Sequence, residues 1–136
     1  DENAKHLHIG AAPSLPDFYN KAIDGIEIGD GVGSCGTAAY QNQSIIVENI
    51  QQHPFWQDYK GLAEQANLHA CWSSPIVSSQ NKVLGTFAIY HQSPSKPTEL
   101  EIELFKNYAN LAALSIESFY AESELRIAAK GFNVQI

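Results

Sequence analysis

Positive charge is scarce in this chain. Eight lysines and arginines stand against fifteen aspartates and glutamates in 136 residues, a formal net charge of −7. The eight cations are scattered and form no run. A phosphate backbone or an anionic membrane surface therefore finds no basic patch, and neither nucleic acid nor direct membrane contact is expected. No apolar stretch approaches the ~20 residues of a membrane span. No signal peptide is visible at Asp1-Glu2-Asn3, which predicts a cytoplasmic location. Methionine is absent altogether, which points to a piece of a longer chain. Cysteine is nearly absent: Cys35 and Cys71 are too few for a disulfide scaffold, and no set of about four closely spaced zinc ligands accompanies them. They read as two reduced, partly buried thiols or, more sharply, as a redox pair.

What is present suits one folded domain. Hydrophobic residues make up 44% of the chain, enough for a core at this length. Leu7, Ile9 and Ala11 alternate with polar or small residues and predict a strand ended by Pro13 and Pro16. Phe18, Tyr19, Ala22 and Ile23 then sit at helical spacing, with Ser14 as an N-cap. Residues 24–33 hold four glycines and predict a loop, and residues 34–41 a short helix. Ser44-Ile45-Ile46-Val47 is a β-branched run, hence a strand. Pro54 suits the first position of a helix carrying Phe55, Trp56, Tyr59, Leu62 and Ala63.

Residues 69–78 and 82–91 predict a hairpin across Ser79-Gln80-Asn81, with Asn81 left-handed at the turn. Pro75 marks an edge or a bulge. Apolar groups on both sides of residues 83–90 imply a sheet covered on both faces. The last helix is the clearest element. Thr98 and Glu101 form a capping box, and Ile102, Phe105, Ala109, Ala112, Ile116 and Phe119 or Tyr120 form its apolar stripe. The stripe continues to Leu125, Ile127 and Ala128, with Gly131 as C-cap. A helix of roughly 30 residues outruns a domain of this size, so its second half is expected to pair with a partner helix.

Gly31-Val32-Gly33-Ser34-Cys35-Gly36 matches G-x-G-x-x-G, and Glu48 follows at a strand end. A dinucleotide site needs a firm preceding strand and further βαβ units. This chain offers a hairpin instead, so the loop reads as glycine dihedrals opening a helix. The free N–H groups of that helix start could still hold an anion. Trp56 and Trp72 read either as core or as the aromatic wall of a small-molecule pocket. His6 and His8 share a strand face, yet the five histidines show no metal spacing. No catalytic set of residues emerges.

At these residues the chain resembles a GAF domain, from about Lys5 to Glu122. The resemblance rests on Leu15-Pro16, Gly29, Gly33-Ser34-Cys35-Gly36-Thr37-Ala38, Val47 with Ile50, Pro54 with Trp56, Cys71-Trp72-Ser73 with Pro75-Ile76, and Leu84-Gly85-Thr86-Phe87-Ala88. It implies an α+β fold, a GAF-like antiparallel sheet with helices on both faces and a long C-terminal helix. The family's N-terminal helix and first strand are missing before Lys5. The Asn-Lys-x-Phe-Asp-Glu signature is absent, and Cys71 is followed by Trp72 rather than His, so the resemblance implies neither cyclic GMP nor a covalent bilin. Asn49 stands where the subgroup often has Asp.

The implied role is a regulatory sensor in a bacterial multidomain signalling protein, binding a small molecule or a redox signal whose cofactor is unknown. The output module implied is a diguanylate cyclase, phosphodiesterase or histidine kinase. The expected division is a sensor domain over 1–122 and a helical linker over 123–136, where Leu125 to Phe132 resembles the opening of a PAS domain. Ligand-binding candidates are Gly33, Ser34, Cys35, Glu48, Trp56, Cys71, Trp72 and Ser73; Cys35 and Cys71 are the redox candidates. A homodimer through the C-terminal helix is expected. Two other readings are a dimerisation spacer without ligand and a thiol-based methionine sulfoxide reductase using Cys35 and Cys71.

Overall fold

The computed structural model describes residues 1 and 3–131. Its centre is the predicted hairpin. Strand β4 (Ala70–Val77) and strand β5 (Val83–His91) pair antiparallel, with Cys71 opposite Tyr90 and Ser73 opposite Ala88. Asn81 takes φ +61° at the turn, and its N–H bonds the Ser78 carbonyl at 2.9 Å. Strand β3 (Ile45–Val47) adds to the other edge of β4, giving the order β3-β4-β5. A register shift falls between Ile76 and Val77. β3 pairs only with Cys71 to Ser73, so Pro75, opposite Thr86 of β5, lies where β4 has a partner on one side alone, a position that tolerates proline.

Alternation along the strands sends two residue sets to opposite faces. Cys71, Ser73, Ala88 and Tyr90 face helix α2 (Gly33–Gln41). Trp72 and Phe87 face the opposite way, and Phe87 packs on Phe105 and Tyr108 of helix α4 (Glu99–Gly131), with centroids 5.5 and 6.2 Å apart. The sheet is thus covered on both faces, as the apolar pattern of β5 requires.

Helix α1 (Asp17–Ile23) starts after Pro16 rather than after a Ser14 cap. The Pro16 carbonyl accepts the N–H groups of Tyr19 and Asn20, and its fixed φ makes it the natural boundary. The first predicted strand shrinks to β1 (His6–Leu7), paired with β2 (Ile26–Glu27) in a separate two-stranded sheet. Beyond Leu7 the ladder stops because the Asp24 carboxylate takes the Ile9 N–H at 2.9 Å. The helix expected from Pro54 divides into a single 3-10 turn (Pro54–Trp56) and helix α3 (Lys60–Gln65). Tyr59 bonds back to Trp56 with the tighter three-residue spacing.

The capping box forms as read. The Glu101 N–H donates to Thr98 Oγ1 at 3.1 Å, and the Thr98 N–H donates to Glu101 Oε1 at 3.2 Å. α4 buries Phe105, Ala109 and Ala113, while Ala112, like Ile102 and Ile116, is only half-buried. A spacing of four repeated twice places Ala113, not Ala112, deepest. Phe119, Tyr120, Leu125 and Ile127 are exposed, so the second half of the stripe lies beyond the sheet. α4 runs unbroken through residues 122 and 123 to Gly131. Gly131 is therefore still helical, and the tail from Phe132 lies outside the described residues.

The core gathers Tyr19, Val47, Ile50, Trp56, Leu68 and Cys71 between the sheet and α1, α2 and α3. Burial of each large apolar side chain contributes roughly 1.5–3 kcal/mol. Among the described residues the outer edge of β5 has no strand partner.

Candidate ligand cavity and its cysteine pair

A cavity of about 870 Å³ opens between β5, α1, α2 and the segment after β1. The glycine loop builds one wall. Gly31 and Gly33 adopt φ +82° and +59°, and Thr37 locks the bend: its hydroxyl donates to the Gly33 carbonyl at 2.6 Å and accepts from the Gly31 N–H at 3.2 Å. A Cβ on Gly36 would lie 2.7 Å from both Cβ and Cγ1 of Val32. Glycine there lets the incoming loop lie flat on the first turn of α2, which presents Cys35 to the cavity.

A buried hydrogen-bond chain fixes this turn. Trp56 Nε1 donates to Ser34 Oγ at 3.0 Å, and Ser34 Oγ donates to the Cys71 carbonyl at 3.0 Å. Each polar group is satisfied, so the chain adds specificity without an orphaned donor. Behind the wall, Ser73 Oγ donates to Cys35 Sγ at 3.3 Å. Across the floor, Tyr19 Oη donates to Tyr90 Oη at 3.2 Å, with the rings edge to face.

The two thiols are driven apart in acidity. Hydrogen bonding with Cys71 is the main influence that lowers the Cys35 thiol, to about 6, helped by the Ser73, Thr86 and Tyr90 hydroxyls and opposed by burial. Burial pushes the Cys71 thiol well up, reinforced by neighbouring Cys35. Burial likewise raises both tyrosines, which stay protonated. Cys35 is half-buried beside the cavity and Cys71 is fully buried. The arrangement is one accessible thiolate backed by one protonated thiol.

Of the candidates read from sequence, Gly33, Ser34, Cys35 and Trp56 line the cavity. Cys71 and Ser73 lie directly behind Cys35. Glu48 is exposed at the end of β3, beside a shallow depression shared with His53. Trp72 packs on the opposite sheet face, with its ring 4.2 Å from His91 and Nε1 donating to the Ser95 carbonyl at 3.1 Å. Tyr19, Thr86, Tyr90 and Ile116 join the site without having been singled out. Strand alternation places Thr86 and Tyr90 with Ala88, but only the hairpin register puts that face towards Cys35. Among the described residues no cluster of three metal-ligating side chains occurs, and no helix is long and apolar enough to cross a membrane.

A sheet covered by helices on both faces, with a largely apolar cavity beside a glycine-turned helix start, defines a small α+β module with a ligand-sized pocket. The chain belongs to the GAF family, whose domain model matches residues 1–117. It is 41% identical over 126 residues to the methyl sulfide methyltransferase-associated sensor of Methanosarcina acetivorans, covering 93% of this chain and 13% of that protein. The chain thus spans about an eighth of that relative's length. In fold it is similar to a domain assigned to a two-component sensor histidine kinase protein from Sinorhizobium meliloti. The TM-score is 0.72 at 24% identity, covering 88% of this chain and 75% of the other. It is also similar to fRMsr of Staphylococcus aureus in its reduced form. There the TM-score is 0.62 at 21% identity, covering 80% and 62%.

Proposed function

We propose that this chain is the signal-receiving module of a larger signalling protein, and that the cavity beside Cys35 is where a small molecule or a redox event is read. One observation carries the reading. Ile116, on the helix that leaves the domain, lines the same cavity as Cys35. Occupying or oxidising the site changes packing against α4 directly. The Glu117 carboxylate, one residue on, accepts the Ser79 N–H at 2.8 Å and the Ser79 hydroxyl at 3.1 Å, which ties the helix to the hairpin turn. A shift of α4 would then bias the attached output module, here proposed as a diguanylate cyclase, phosphodiesterase or kinase reached through a linker over 123–136. The sensor name of the Methanosarcina relative supports the role.

α4 also supports the proposed homodimer. Leu100, Leu104, Leu111 and Leu114 are exposed and lie on the face opposite Phe105, Ala109 and Ala113, at the spacing of a two-helix seam. Native mass spectrometry of the protein tests the sensing role. A small-molecule mass retained by wild type and lost in Cys35→Ala or Trp56→Leu supports it; variants that signal normally with no mass ever retained overturn it.

A second reading rests on the pairing of Cys35 with Cys71. A thiolate backed by a protonated thiol suits reduction of free methionine sulfoxide, with the two sulfurs ending as a disulfide. Turnover with dithiothreitol, abolished by Cys35→Ser, tests it.

A further inference from the structure

The walls of the cavity restrict what can enter it. No lysine or arginine is among its lining residues. The imidazoles at its lining, half-buried His6 and exposed His8, already face carboxylates: His6 Nδ1 lies 3.0 Å from Asp1 Oδ2, and His8 Nδ1 lies 3.4 Å from Asp24 Oδ1. Asp1 adds a carboxylate and Ser14, Thr86 and Gln92 add neutral polar groups, while the greater part of the surface is apolar, as at Leu15, Ile23 and Leu84. An anion entering this space loses water and gains no cation, which costs several kcal/mol. Cys35 would repel it further whenever that thiol is ionised.

Asp1, Cys35 and the two histidines apart, the polar side chains at the lining are neutral: hydroxyls, the Trp56 indole and the Gln92 amide. Tyr19 donates its proton to Tyr90, and the Tyr90 O–H is itself turned to the cysteine pair, so neither phenol proton is left over for a ligand. The volume of this partly open cavity, about 870 Å³, falls within the range of drug-sized ligand pockets, ~300–1,000 Å³. We infer that the cavity takes an uncharged, largely apolar compound and that it rejects nucleotides, carboxylates and other anions. This inference rests on the cavity being the sensing site.

Two fluorescent probes that share one ring system make the test: N-phenyl-1-naphthylamine, which is uncharged, and 1-anilinonaphthalene-8-sulfonate, which adds a single negative charge. Each is titrated into the protein and its emission recorded. The neutral probe is expected to bind saturably at one per chain, at least about tenfold more tightly than the sulfonate, as an uncompensated buried charge dictates. Ala88→Trp fills the cavity and should weaken the neutral probe at least tenfold. Ile9→Trp, at a position already 38% exposed, fills the mouth without touching the core and should act in the same direction. Leu84→Lys supplies the missing cation and should bring the sulfonate to parity. Sulfonate binding as tight as the neutral probe in wild type overturns the inference and leaves the sensing role standing. Neutral-probe binding that survives both tryptophans marks the exposed leucines of α4 as its site and overturns the inference as well. No saturable binding of either probe overturns both readings of the cavity.

Discussion

Alkylation of Cys35 as a function of pH puts the electrostatics of the site to a quantitative test. An ordinary cysteine titrates near 8.5 and is only about 3% thiolate at pH 7. Cys35, held at about 6 chiefly by its hydrogen bonding with Cys71, would be about 90% thiolate at the same pH, a roughly thirtyfold gain in the reactive form. Nucleophilicity falls with acidity at a Brønsted slope of about 0.4–0.5, which returns roughly tenfold or more over ~2.5 units. The rate at pH 7 is therefore expected within a few-fold of an ordinary cysteine, and the midpoint becomes the readout. Iodoacetamide is mixed with native protein between pH 4.5 and 9.5, and the labelled peptide is quantified by mass spectrometry. Labelling of Cys35 should rise with a midpoint near 6, while Cys71, fully buried and raised, stays unlabelled. Cys71→Ala removes the largest lowering influence and should move the midpoint up the most; Ser73→Ala and Tyr90→Phe should move it up less. A wild-type midpoint at 8 or above, or one that Cys71→Ala leaves in place, refutes the reasoning. The sign for stability follows. A depressed thiol stabilises the fold fully above the unfolded value near 8.5 and loses that contribution as pH falls towards 6.

Three further outcomes follow from the geometry. Gly36→Ala should destabilise by about 1–3 kcal/mol through the 2.7 Å approach to Val32, outweighing the better helix propensity of alanine; urea unfolding at equal or higher midpoint contradicts it. Thr98→Ala removes a capping-box acceptor and should cost about 0.5–2 kcal/mol, read as a lower thermal midpoint with the probe-binding cavity intact. Leu104→Lys with Leu111→Lys, both at exposed positions on α4, should leave thermal stability of the monomer within about 0.5 kcal/mol and abolish any dimer in sedimentation equilibrium; an unchanged dimer would place the contact elsewhere.

Most local structure was legible because it depends on neighbours a few residues apart. Asn81 turns the hairpin, Thr98 and Glu101 cap α4, and the glycines bend the loop before α2, each through bonds spanning six residues or fewer. One of the readings that failed lost to a distant competitor and another to a local one. Asp24, fifteen residues away, takes the Ile9 N–H and ends β1. Tyr59 bonds back to Trp56 and splits the helix expected from Pro54.

The site itself was legible only as a set of candidates. Glu48 and Trp72 are as polar or aromatic as the residues that enter the cavity, yet one is exposed and the other lies on the opposite sheet face.

By itself the sequence determined an acidic chain of strands and helices whose glycine loop opens a helix and whose last helix is long. Those properties follow from composition, period and turn chemistry. Tertiary structure alone decided that Ser73 would meet Cys35 across 38 residues and that Trp56 would reach Ser34 across 22. A one-residue slip in the pairing of β4 would turn Cys71 and Ser73 to the α4 face and dismantle the site. The chemistry of the cavity therefore resides in strand register and helix docking, which no local pattern specifies.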